Sequence, residues 1–273
     1  MDLLREDSGY FDLTTFGLGI GEKRGSISFA PKADTILSGC DEAKKVFQEC
    51  ELEYIFFQKN GAFVEAGQTI AECKGDAKSL HRAWKTAQNI FEYMSGIATY
   101  THEMVQKARL VNPDITIATT RKNFPTAKEL MLKAVMDGGG VVHRLGLFDS
   151  VLIFEQHLVF LQNEEELINS FQKLKKSFVE KKIIVEVESY EQARYFALLG
   201  ADVLQCEKMS PSLLLKCVGL KKEFGHLKVS ATGGINASNV AEFAACGVDA
   251  IVTSSPYHAK PADIKVIMKE EQK

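Results

Sequence analysis

Residues 183–207, IIVEVESYEQARYFALLGADVLQCE, decide the fold. Ile183–Glu188 is apolar and β-branched, Tyr190–Leu199 has the spacing of an amphipathic helix, and Ala201–Cys206 is apolar again. Gly200 falls just past the helix, where a residue without Cβ supplies a left-handed cap. Strand, helix and strand joined this tightly predict a parallel βαβ unit, and near-continuous apolar strands predict a sheet covered on both faces. The pattern continues outward. Apolar runs at Ile115–Thr119, Val151–Phe154, Leu227–Ala231 and Asp249–Thr253 alternate with helical patterns at Thr126–Met136, Glu164–Phe178, Pro211–Phe224 and Ala237–Cys246. Gly247 repeats the place of Gly200. A wound barrel and an open doubly wound sheet both satisfy this alternation. No GxGxxG follows the first strand, which favours the barrel.

The first 98 residues have another texture. Lys59–Glu72, KNGAFVEAGQTIAE, alternates apolar and polar positions around Gly61 and Gly67, which predicts antiparallel hairpins. Asp76 can cap a helix running to about Met94, with Gly96 after its end. Its apolar stripe reads Leu80, Ala83/Trp84, Ala87, Phe91, Met94, so Trp84 is expected in the core, with Lys85, Gln88 and Asn89 on the other face. The expected division is an N-terminal α+β domain over residues 1–98, a barrel domain over 99–261, and a final helix over 262–273 that packs back.

The chain of 273 residues is ordinary in composition, 45% hydrophobic and 25% charged, which argues against disorder. Its charge, 33 − 36 = −3, holds no global basic excess for nucleic acid or an anionic membrane. No apolar run is long enough to span a bilayer. Asp2, Arg5, Glu6 and Asp7 stand where a signal peptide needs an apolar run. The six cysteines, Cys40, Cys50, Cys73, Cys206, Cys217 and Cys246, are too far apart for CxxC pairs. Reduced, mostly buried thiols and a cytoplasmic location are expected.

Ligands of parallel α/β folds bind at the carboxyl ends of the strands. Arg121-Lys122 follows the first barrel strand, and His143-Arg144 follows the flexible Gly138–Gly140. Two basic pairs there make an anion site, arginine being suited to a bidentate grip on carboxylate or phosphate. Glu186 and Glu188 share a strand face, and Glu207 ends the next strand. Carboxylates at neighbouring strand ends suit ribose hydroxyls or a magnesium ion held through water. Thr232-Gly233-Gly234 leads into a helix capped by Asn236 or Ser238, and Ser254-Ser255 offers hydroxyls and amides one strand later. A phosphate site built from the last two βα loops is a recurrent barrel arrangement. No Walker sequence, HExxH, GxSxG or EF-hand loop is present. The residues alone describe a phosphate-handling α/β enzyme with a second anion pocket; a sugar-phosphate lyase or isomerase using Lys122 as Schiff base or general base fits the same loops.

Several blocks carry a closer likeness: EDSGYFDLTT (6–15), SGIATYT (95–101), TRKNFPTAKELMLKAVMDGGGVVHRLGLFDSVLIF (120–154), VEVES (185–189) and ATGGINASNVAEFAACGVDAIVTSS (231–255). In order, over nearly the whole chain, they resemble the quinolinate phosphoribosyltransferases (nicotinate-nucleotide pyrophosphorylase, carboxylating). LHRAWKTAQN (80–89) and SSPYHAKPADIKV (254–266) resemble the ModD branch found beside molybdenum-transport components. The resemblance implies an N-terminal α/β sandwich, an incomplete TIM-like α/β barrel, and a homodimer with shared active sites that can assemble further into a hexamer. It implies transfer of phosphoribosyl from phosphoribosyl pyrophosphate (PRPP) to a ring nitrogen of a small aromatic acid or base, with Mg2+ as cofactor. Arg121, Lys122, His143 and Arg144 match the basic residues that hold pyridine dicarboxylate and phosphates. Glu186 and Glu207 match the acidic pair around ribose and magnesium, with Glu207 where the family usually has Asp. Lys122, Glu186 and Glu207 are the expected catalytic set. Thr232, Gly233 and Gly234 match a Ser-Gly-Gly phosphate loop; Ser254 and Ser255 stand where small residues are common. Two positions depart: Lys85 replaces an arginine that reaches across the dimer, and Phe154 replaces a lysine. Losing the guanidinium fork and a whole charge counts against a dianionic acceptor such as quinolinate. The other reading kept from the sequence is a non-catalytic anion-binding or regulatory protein linked to molybdenum uptake.

Overall fold

The computed structural model describes residues 3–9 and 11–271. The chain forms two compact units: Met1–His102 with Asn123–Gly139 and Pro256–Lys273, and Glu103–Lys122 with Gly140–Ser255. A single cut at residue 98 does not describe this division, because one helix, Ala77–Arg109, runs through that point.

In the first unit, Arg24–Pro31 (β1) alternates faces, burying Ile27 and Phe29. It is followed by Thr35–Ile36 (β2), Glu53–Phe56 (β3), Phe63–Val64 (β4) and Ala71–Asp76 (β5). β1 and β3 both pair antiparallel with β5, while β2 and β4 form a separate two-stranded ribbon. Phe29 meets Phe47 and Phe91 at ring-centroid distances of 5.9 and 5.5 Å, which centres the core. Asp76 starts the long helix by accepting the Ser79 amide at 2.7 Å, as its position predicts.

Three expectations are corrected here. The helix does not stop at Gly96: a Cβ there would stand 2.3 Å from the Lys260 carbonyl oxygen, so this glycine permits a close backbone approach rather than a cap. Trp84 is 37% exposed and donates to Gln88 at 3.1 Å; Ala83 and Ala87 face the core, and Trp84 sits at the edge of the stripe. The expected C-terminal helix over 262–273 is instead a strand, Ile264–Glu270, antiparallel to β1 from Ile264 opposite Pro31 to Glu270 opposite Gly25. Ile264, Val266 and Met268 alternate with exposed Lys265, Ile267 and Lys269, a period of two that also covers the open edge of β1. The last two residues of that expected helix, and Asp2, lie outside the described residues.

The second unit is a single parallel sheet. Its strands are Thr116–Thr119 (β6), Val141–Val142 (β7), Val151–Ile153 (β8), Ile183–Val187 (β9), Val203–Glu207 (β10), Lys228–Thr232 (β11) and Ala250–Thr253 (β12). The seven run in the order β7-β6-β12-β11-β10-β9-β8, with β7 and β8 as the unjoined ends. This is a curled, incomplete barrel. Val185, Val187, Leu204, Val229 and Ile251 are buried, so the apolar strands are covered as expected. The helix Tyr190–Leu199 has the predicted bounds, capped by Ser189 accepting the Gln192 amide and by left-handed Gly200. β7, two residues long, carries too little pattern for the sequence to announce it.

Candidate active site

Parallel strands bring their carboxyl ends to one rim, and the sequence places chemistry at each of them. Thr120-Arg121-Lys122 leaves β6, His143-Arg144 leaves β7, Phe154 leaves β8, Glu186 and Glu207 stand at the ends of β9 and β10, Thr232-Gly233-Gly234 ends β11, and Ser254-Ser255 leaves β12. Thus the structure puts all of these predicted residues in one unit and at one end of one sheet. Lys85 belongs to the first unit, on an exposed helix face. Its amine donates to Gln88 at 2.9 Å and lies 5.5 Å from the Trp84 ring centroid.

The acidic pair is built across neighbouring strands. Gln205 lies directly opposite Glu186 in the parallel register and donates its amide to the Glu186 carboxylate at 2.8 Å. Burial raises the Glu186 pKa; the Gln205 hydrogen bond opposes that rise, while nearby Glu207 adds to it. Glu207 is followed by Lys208, whose φ of 51° is unusual for a residue with a side chain. The Lys208 amide donates to the Thr232 carbonyl at 2.9 Å, which ties the two strand ends together. Nothing local in the sequence marks Gln205: a buried glutamine inside an apolar strand announces no partner until the neighbouring strand is placed beside it.

The glycine loop fits closely against this pair. At Gly233, φ is 89°, and a Cβ would lie 2.8 Å from the Lys208 amide nitrogen and 3.0 Å from the Glu207 carboxyl carbon. Only glycine allows the loop both its left-handed backbone and this approach. The helix after the loop begins later than expected, at Val240, and Asn236 caps no helix: its side chain accepts the Ser238 amide within the loop at 2.8 Å. Beside it, the Thr120 and Ser254 hydroxyls are 2.6 Å apart, the Lys122 amide donates to Thr120 Oγ1 at 3.1 Å, and Thr253 Oγ1 donates to the Ile235 carbonyl at 2.7 Å. Together these groups line a polar cleft of about 250 Å³ that includes Lys122, Glu207, Thr232, Gly233, Gly234, Ser254 and Ser255. Glycine amides, hydroxyls and one lysine suit a phosphate ester.

The other half of the rim is different. Arg144 is 7% exposed, and its guanidinium carbon lies 5.9 Å from the Phe154 ring centroid. Burial and the neighbouring Arg121 both pull its pKa down, although a guanidinium stays charged. Burial, then Arg144, likewise holds the His143 imidazole below its ordinary range, so it is uncharged near neutral pH. Phe154 stacks on His157 with centroids 5.8 Å apart, and the Phe154 amide donates to His157 Nδ1 at 2.9 Å. Arg121, Arg144, Phe154 and His157 open onto a second, larger pocket of about 600 Å³.

A parallel half-barrel with a glycine loop, a carboxylate pair and an arginine cluster along its strand ends is an α/β-barrel architecture whose rim suits a phosphate ester. The sequence profiles of the quinolinate phosphoribosyl transferase N-terminal and C-terminal domains match residues 12–95 and 97–267. A protein of Pasteurella multocida named as a pyrophosphorylase, ModD, is 35% identical over 271 residues, covering 99% of this chain and 96% of its own. A nicotinate-nucleotide pyrophosphorylase [carboxylating] of Methanothermobacter thermautotrophicus is 32% identical, with 97% and 98% covered. The solved nicotinate-nucleotide pyrophosphorylase of Francisella tularensis superposes with a TM-score of 0.89 at 25% identity, covering 97% of this chain and 93% of that one. The chain belongs to the quinolinate phosphoribosyl transferase family, a family of pentosyltransferases, and is ModD-like within it.

Proposed function

We propose that this protein transfers the phosphoribosyl group of PRPP to a ring nitrogen of a pyridine-carboxylate-like acceptor, and that quinolinate is not the acceptor it prefers. The observation that carries the reading is the asymmetry of the rim: a fully furnished phosphate cleft beside Glu186 and Glu207, next to a base side where Phe154 supplies a ring in place of a charge. In the reaction, the acceptor nitrogen lone pair forms the bond to the anomeric carbon as the bond to pyrophosphate oxygen breaks, and pyrophosphate leaves with that electron pair. Such a step needs charge stabilisation and positioning more than a protein nucleophile. Glu186 and Glu207 hold the ribose hydroxyls, Thr232–Gly234 with Ser254 and Ser255 hold the 5′-phosphate, and Lys122 and Arg144 offset charge on the leaving group. Arg121 and neutral His143 grip a carboxylate of the acceptor.

Among the described residues no group of three or more His, Cys, Asp or Glu could hold a metal ion. The donor set Glu186 and Glu207 fits a magnesium ion that keeps most of its waters and takes further oxygens from the substrate's phosphates. Bound there, magnesium would neutralise charge on the pyrophosphate. We further read the working form as a homodimer in which Lys85 serves the partner's site, acting in the cytoplasm.

Pyrophosphate release from PRPP with magnesium, against a panel led by quinolinate and nicotinate, tests this reading. Release with nicotinate-type acceptors and little with quinolinate is expected. Efficient release with quinolinate would overturn the acceptor assignment. PRPP or molybdate binding without release from any acceptor would favour the anion-binding, regulatory reading instead.

A further inference from the structure

The 600 Å³ pocket is larger than the proposed reaction needs. At roughly 30 Å³ per water-sized group, a one-ring monocarboxylate fills less than half of it. Its two ends differ in chemistry. At the mouth stand Arg121 and Arg144, and among the described residues neither forms an ion pair within 4 Å. Asp149 lies near Arg144 and also lines the pocket, so two guanidiniums against one carboxylate leave this end net cationic and suited to an acid group. Beyond the Phe154–His157 stack the lining turns apolar, with Leu158, Leu167, Phe171 and Leu174 from the segment that follows β8. Ser150 lies between the two ends in sequence, and its hydroxyl is buried without a hydrogen-bond partner. Pockets of this size, apolar with a few convergent polar groups, are typical small-molecule sites.

We infer that the acceptor is an aromatic monocarboxylate bearing an apolar substituent, its acid on Arg121 and its substituent in the pocket lined by Leu158, Leu167, Phe171 and Leu174. This rests on the phosphoribosyl-transfer reading for the word acceptor, but not for the binding itself. Charge complementarity fixes the orientation: the arginine end is cationic, while the lining beyond Phe154 is mainly leucine and phenylalanine with Lys181 among them, so an apolar substituent matches most of that surface.

The test is calorimetric binding of nicotinate and of nicotinates phenylated at each free ring carbon, using the full-length protein, with pyrophosphate release from PRPP measured on the same samples. At least one phenyl derivative should bind ten times more tightly than nicotinate. Ser170 lines the pocket on the exposed face of the helix Glu164–Ser177, so Ser170→Trp should fold normally, abolish that gain, and leave nicotinate and PRPP affinity unchanged. Leu174→Gln, a milder change within the pocket, serves if the tryptophan variant fails to fold. No gain for any phenyl derivative overturns the inference. A gain that Ser170→Trp leaves intact, with a changed sedimentation mass, overturns it too and assigns the pocket to a subunit contact. A Ser170-sensitive gain without pyrophosphate release keeps the pocket and refutes the transferase reading. Release with nicotinate but no phenyl gain refutes the pocket alone.

Discussion

The two halves of the barrel rim are built from different chemistry. Around β10, β11 and β12, the groups are glycine amides, hydroxyls and carboxylates, tied by short hydrogen bonds to neighbouring strand ends. Around β7 and β8, arginines and an imidazole face phenylalanine and a long apolar pocket. Under the proposed function the first half would meet the phosphoribosyl donor, which presents the same hydroxyls and phosphates whatever its acceptor, so a fixed ligand would constrain it. The second half would meet the acceptor, and there a phenylalanine at 154 in place of a lysine would redirect specificity without touching the donor. Specificity differences of this kind come from what a pocket rejects as much as from what it holds.

Four substitutions test that contrast. Glu186→Gln should reduce kcat by about 100-fold or more, because it removes the charge facing the ribose while keeping a carbonyl for the Gln205 amide. Its stability should move the other way. Because the folded protein raises the Glu186 pKa above its ordinary 4.5, stability falls as pH climbs from that value through the raised one. Glutamine removes this slope, so thermal unfolding at neutral pH should be no easier than in the wild type. Near-normal turnover would break the assignment of the acidic pair.

Gly233→Ala introduces a Cβ 2.8 Å from the Lys208 amide at a φ of 89°. A KM for PRPP raised at least about tenfold and a stability loss of about 1–3 kcal/mol are expected, with acceptor binding little changed. An equal loss on both substrates would show that the halves are not separable. Phe154→Lys sharpens the comparison from the other side: restoring the cation should improve quinolinate binding by about tenfold, or ~1.4 kcal/mol, and leave PRPP affinity alone. Calorimetry with each substrate separately reads both.

The smallest effect on turnover should come from the opposite end of the strands. Asp249 accepts the Val229 amide at 2.9 Å and pairs with Lys221 and Lys228 at 2.9 and 3.1 Å. Burial opposes its ionisation, but these hydrogen bonds outweigh burial and hold its pKa below the ordinary 3.8. The carboxylate therefore stabilises the fold above that ordinary value, and this contribution is lost as pH falls through the lowered one. Asp249→Asn should cost about 2 kcal/mol near neutral pH, flatten that part of the acid-unfolding curve, and leave kcat unchanged. Conserving activity while losing stability would set the amino-terminal face of the barrel apart from the rim.

Much of this was legible in order along the chain. The strand–helix repeat, Gly200 and Gly247 as caps, and the residues at the strand ends follow from local periodicity and from the rule that such ends carry the site. Where local pattern competed with packing, it was a poorer guide. Gly96 has the look of a helix stop, yet what requires glycine there is a carbonyl 164 positions away at Lys260. Residues 264–270 contain helix-compatible residues, but the unpaired edge of β1 makes them a strand. Trp84 fits an apolar stripe whose true centre is set by Phe29, Phe47 and Phe91.

By itself, then, the sequence determined the parallel architecture, the site's end of the sheet and the kinds of groups in it, because those depend on periodicity and residue chemistry within short stretches. Tertiary structure alone decided that Gln205 sits opposite Glu186, that Gly233 has no room for a Cβ, and that an apolar pocket opens behind Arg144 and Phe154. Each of these is a contact between residues distant in the chain, fixed by register and close packing, to which no local pattern is sensitive.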